Sequence, residues 1–78
     1  MENREVLEKL VEEYNTYAMA YRFFLELACG EQVEEYRTKL DALRNLIYKW
    51  FGENSVKVDV VNYKIFDVSF KWYKMEVR

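Results

Sequence analysis

With 78 residues, the chain has room for one hydrophobic core and not two, since a domain of this size buries roughly 60–65% of its extended-chain surface. It is 51% hydrophobic, carries a net charge of −2, and contains no His, no Pro and two Gly. These values exclude a disordered or collagen-like chain, His-based catalysis and a zinc finger, and they leave no global basic field for nucleic acid.

One cysteine, Cys29, excludes an intramolecular disulfide. The polar start, Met1 to Glu5, does not read as a signal peptide, and no apolar run approaches the roughly 18 residues of a membrane span. The expected compartment is the cytoplasm, of a host cell if the source is viral. The charge is uneven: residues 1–53 hold 11 acids and 7 bases, whereas residues 54–78 hold 3 acids and 5 bases. The whole chain, 1–78, reads as a single domain.

The first segment, about 3–29, is a helix. Leu7, Leu10, Tyr14, Tyr17, Tyr21, Phe24 and Ala28 recur at spacings of three and four, and Val11, Ala18 and Leu25 widen this seam into a core-facing stripe. Asn3 is the expected N-cap, with Glu5 in the first turn, where the helix dipole favours an acid. The second segment, about 31–51, repeats the rhythm with Val33, Tyr36, Leu40, Leu43, Ile47 and Trp50. Glu35–Lys39 and Arg37–Asp41 are expected ion pairs four residues apart. Gly30 and Gly52 each follow a helical segment, where glycine is the favoured left-handed cap. The seam slips phase at Gly30, so a turn is expected there, giving an antiparallel helical hairpin. The alternative is one continuous helix through Gly30.

The third segment, about 55–77, changes period. Val56, Val58 and Val60 alternate with Lys57 and Asp59, and Phe66, Val68, Phe70 and Trp72 with Asp67, Ser69 and Lys71, which is the pattern of two strands. Asn62-Tyr63-Lys64 is the expected loop, pairing Val60 with Phe66, Val58 with Val68 and Val56 with Phe70. That register sets Asp59 opposite Asp67, a like-charge contact. The expected architecture is therefore α+β, in the order α-α-β-β, with the β-hairpin packed on the helices and possible completion by dimerisation.

No catalytic set, cofactor loop or metal site stands out, so a non-enzyme without a cofactor is expected. Cys29 reads as a small hydrophobe at a helix C-terminus, where the dipole disfavours a thiolate. Glu5, Glu8, Glu12 and Glu13 read as a solvated acidic face lacking the Glu-x-x-His spacing of a di-iron site.

Three features point to partner binding. Met19 and Phe23 lie opposite the first seam: either the sheet covers them or they form an exposed patch for self-association or a partner. The second strand is the longer, so the run from Tyr73 to Val77 is expected to lack an intramolecular partner and either to fray or to pair with another chain. Tyr63, Lys64, Lys71, Tyr73 and Lys74 mix basic and aromatic groups on the hairpin, a combination that serves weak single-stranded nucleic-acid binding as well as a solvated strand face. Tyr48 joins Met19, Phe23, Tyr63 and Tyr73 as aromatic or apolar side chains with no assigned place in the core.

Small size, acidic balance and many tyrosines resemble the gross features of small accessory proteins of phages and mobile elements, including anti-CRISPR and other anti-defence inhibitors. What that resemblance implies is a self-associating protein-protein interaction module that inhibits a host complex. The alternative is the single-stranded nucleic-acid binder.

Overall fold

The computed structural model describes residues 3–78, with the backbone alone for Asn3, so the expected Asn3 cap lies outside the described residues. The order is α1 (Asn3–Glu26), α2 (Gly30–Phe51), a short 3-10 turn (Glu53–Ser55), β1 (Val56–Ile65) and β2 (Val68–Val77). This is the expected α-α-β-β arrangement: a helical hairpin, then an antiparallel β-hairpin whose second strand lies against α1. The molecule is elongated, 46 × 21 × 16 Å.

The helices are separate, but Gly30 is not the residue that separates them. It opens α2, and the left-handed residue is Ala28, at φ 55°. The Cys29 N–H donates to Phe24 O and the Ala28 N–H to Leu25 O, the paired bonds of a Schellman motif. Ala at this position pays a steric penalty of about 1 kcal/mol that Gly would avoid. Gly52 does end α2, with its N–H donating to Tyr48 O, but at φ 91° and ψ 151° it lies in a region open to glycine and not in the left-handed helical one expected. Cys29 is half-buried and stands directly before α2, so it belongs to the N-terminus of one helix as much as to the C-terminus of the other.

The core is built from Leu7, Val11, Tyr14 and Ala18 of α1, Ile47 of α2, and Val56 and Met75 of the hairpin. Val11 and Ala18, expected at the flank of the stripe, are at its centre, whereas Tyr17, Tyr21 and Phe24 are half-buried. Tyr36 of α2 stacks on Phe24, with centroids 5.5 Å apart, and meets Tyr17 at 5.7 Å. At the end of α2, Trp50 is 71% exposed and Phe51 packs against the core instead. The helical period explains the exchange: four residues past Ile47 is about 40° off its direction, three residues about 60°. Tyr48 also packs against the core, so it is not a free partner-binding side chain. Arg37 pairs with Glu34 and Arg44 with Asp41, at three-residue spacing, in place of the four-residue pairs expected. Lys39 instead lies over the Tyr17 ring at 5.7 Å.

The hairpin register differs from the expected one. Val56 pairs with Val77, Val58 with Met75 and Val60 with Tyr73, continuing to Ile65 with Val68. The turn is Phe66-Asp67, at φ 50° and 66°, the all-positive pattern of a type I′ turn. Asn62-Tyr63-Lys64 lies inside β1. This register sets Lys57 opposite Glu76 and Asp59 opposite Lys74, replacing the like-charge clash by two opposite-charge pairs. It also gives the run from Tyr73 to Val77 an intramolecular partner in residues 56–60. The expectation of an unpaired strand there is corrected.

The inner side of the ribbon changes along its length. At the base Val56 and Met75 are buried and Val58 and Val77 half-covered, whereas toward the tip Tyr63, Ile65, Phe70 and Trp72 are half-covered and none is buried. Opposite parities face inward at the two ends because a two-stranded ribbon twists strongly. At the crossing, Asn15 of α1 seals the outer edge of β2. Its Nδ2 donates to Met75 O at 2.9 Å, and its Oδ1 accepts from the Met75 N–H at 2.8 Å.

Candidate functional site

The hairpin tip and the α1–α2 turn form one end of the molecule. Between them lies an apolar cavity of about 290 Å³ lined by Leu25, Ala28, Val33, Ile65, Val68 and Phe70, with Glu26 and Phe66 at its wall. Phe66 is 91% exposed. A large aromatic residue in the left-handed region, at a turn position that favours Asn or Gly, is held against its local preference. Val68 beside it and Leu27 of the helical turn are both exposed. The carboxylates at this end are Glu26, Glu31 and Asp67, against Lys64 and an Arg22 already paired with Glu26 at 3.4 Å. The end is therefore apolar at its centre and acidic at its rim.

Met19 and Phe23 are exposed, at 65% and 55%. The sheet does not cover them, and they form an apolar pair at four-residue spacing on α1 that Leu27, in the turn just past the helix, continues. The sequence identified this pair but missed Phe66, because alternation placed Phe66 in a strand. A Phe-Asp turn carries none of the Gly or Asn signals that mark positive φ.

The basic and aromatic hairpin residues do not share a surface. Alternation and register put Lys64, Lys71 and Tyr73 on one face and Tyr63 and Lys74 on the other. Tyr63 is half-buried, tilted against Phe70 at 5.9 Å, with the Arg22 guanidinium 5.6 Å from its ring centre. Burial pushes its phenol pKa up. Lys64, Lys71 and Lys74 are exposed, and Tyr73 only partly.

A second cleft, of about 260 Å³, lies where α2 faces β2, with α1 behind. Arg37, Arg44 and Lys71 line it beside Asp41, and Tyr14, Tyr21, Trp72 and Tyr73 supply aromatic walls. Burial pushes the Tyr14 phenol pKa up, and the nearby Arg44 partly offsets this.

No helix among the described residues is long and apolar enough to cross a membrane. No family model, curated protein or solved structure matches the chain.

Proposed function

We propose that the protein is a non-enzymatic protein-binding module that engages its partner through the end formed by the hairpin tip and the helical turn. The observation that carries this reading is Phe66, almost wholly exposed in a strained turn beside an apolar cavity. Exposed aromatic anchors beside desolvated pockets are what interface hot spots are made of. The acidic rim selects a partner whose complementary apolar surface is ringed by Lys or Arg, and it disfavours a second copy at this end. Occupying a surface of a larger complex is the action itself, as it is for an inhibitor of a host complex.

The experiment is affinity capture from cells of the source organism, with the wild type and Phe66→Asp in parallel. The expected result is one partner retained by the wild type, lost with Phe66→Asp, and released as salt rises. Recovery of the same proteins by both forms, with the variant folded by circular dichroism, would overturn the proposal.

Self-association is a second reading, through β1 rather than the run from Tyr73 to Val77. Among the described residues the sheet has two strands. The ladder alternation turns the N–H and C=O of Val58, Val60, Asn62 and Lys64 away from β2. A second copy fits antiparallel about a two-fold axis at Val61, with Val60 opposite Asn62, Val58 opposite Lys64 and Asp59 opposite Tyr63, so no like charges meet. Val60→Pro removes an edge donor without breaking a β1–β2 bond. A dimer by light scattering that becomes a monomer in this variant supports the pairing. A wild type monomeric at high micromolar concentration overturns it.

A further inference from the structure

We infer that the cleft between α2 and β2 binds a small aromatic anion of the mononucleotide kind, its phosphate held by Arg44, Lys71 and Arg37 and its ring against the cleft's aromatic walls. Four observations lead there.

The first is charge. Three cationic side chains face one carboxylate, Asp41, in a protein whose net charge is −2. Arg44 and Arg37 make only exposed ion pairs, to Asp41 at 3.2 Å and to Glu34 at 3.5 Å, and Arg37 also interacts with the Tyr21 hydroxyl. Such pairs are worth little, so both guanidiniums can turn to a phosphate, for which their planar fork is suited. Lys71 makes no ion pair among the described residues.

The second is the strand edge. Asn15 bonds both backbone groups of Met75, which places them on the outer edge of β2. Alternation along an antiparallel strand puts the N–H groups of Tyr73 and Lys71 on that same edge. Both residues line the cleft, and neither N–H has a protein acceptor among the described residues. Two unpaired strand-edge donors beside three cations match the several acceptor oxygens of a phosphate.

The third is the aromatic wall. Tyr21, Trp72 and Tyr73 surround the opening, with Tyr14 buried behind them, and every nucleobase offers a face for stacking on such rings. The indole N–H of Trp72 is buried without an acceptor among the described residues.

The fourth is size. About 260 Å³ is just below the roughly 300–1,000 Å³ usual for small-molecule sites. It suits one nucleotide rather than a strand. The cleft is separate from the apolar end, so it stands or falls independently of the partner-binding reading.

Trp72 supplies the readout once the exposed Trp50 is replaced by Phe. The Trp50→Phe protein is titrated with the four ribonucleoside monophosphates, with adenosine, with inorganic phosphate and with a tetranucleotide. A saturable fluorescence change is expected with at least one monophosphate, together with shifts of the Lys71 and Tyr73 amide resonances. Adenosine and phosphate alone should each bind at least about tenfold more weakly, and Arg44→Ala and Lys71→Ala should each cost about tenfold with the melting temperature unchanged. Lys64→Ala, outside the cleft, should change nothing. No saturable response to any monophosphate overturns the inference, as does undiminished affinity in the Arg44→Ala/Lys71→Ala double variant. A tetranucleotide that binds tighter than the monophosphate overturns the assignment to a free nucleotide.

Discussion

The two ends of the β-hairpin are built on opposite principles. At the base, Val56 and Met75 are buried against Ile47 and α1, and Asn15 closes the strand edge with two hydrogen bonds. At the tip, Phe66 stands in water at a positive φ, and the covering side chains are only half-buried. The strand residues of the base have no positive φ and are held by packing. The tip goes against local preference, with a bulky side chain where Gly or Asn would relieve strain. Such a departure is expected where function, not stability, sets the residue.

Ile47→Ala tests the base most severely. This side chain is fully buried, and its truncation should cost about 2–5 kcal/mol by denaturant melt. Phe66→Ala should cost almost nothing in the same measurement, and equal losses would abolish the contrast. Next in size, Asn15→Ala removes both bonds to Met75 and should cost about 1–3 kcal/mol. Hydrogen exchange at the Met75 amide should quicken more than at Val68. At the tip, replacing Phe66-Asp67 by Asn-Gly should raise stability by about 1 kcal/mol, since it supplies the preferred type I′ residues. If the tip is built to bind, the same change should abolish partner capture.

The smallest effect concerns pH. Burial raises the Tyr14 phenol pKa above its ordinary 10.0. The unfolded chain then loses its proton first, so stability is complete below pH 10 and declines as pH rises through the folded value. Tyr14→Phe should flatten that decline in melts taken across pH 9 to 11. An unchanged slope would remove Tyr14 as its cause.

Much of the fold was legible in the chain. The three-four spacing of apolar residues gave both helices to within a few residues, and Gly52 marked the end of α2. The β alternation gave two strands. Of the readings that failed, two show the reason most clearly. Gly30 drew the turn to itself, although Ala28 adopts the left-handed conformation within a Schellman motif. Asn62 looked like a turn residue, whereas opposite-charge pairing of Lys57 with Glu76 and Asp59 with Lys74 favours the register observed. Of the candidate site, the row of Met19 and Phe23 was legible from helical spacing. Phe66 was not, because nothing local distinguishes an aromatic residue in a strand from one forced into a turn.

The sequence by itself determined the order of elements and most of the two helical faces, and it set Met19 and Phe23 opposite the first seam without deciding whether the sheet covers them. Periodicity carries that information because a helix and a strand each repeat at a fixed interval. Only the tertiary structure decided which strand edge Asn15 seals, which side of the twisted ribbon faces the helices, and that Arg37 and Arg44 meet Lys71 across one cleft. Those relations join residues far apart in the chain, and they depend on packing and twist rather than on any local repeat.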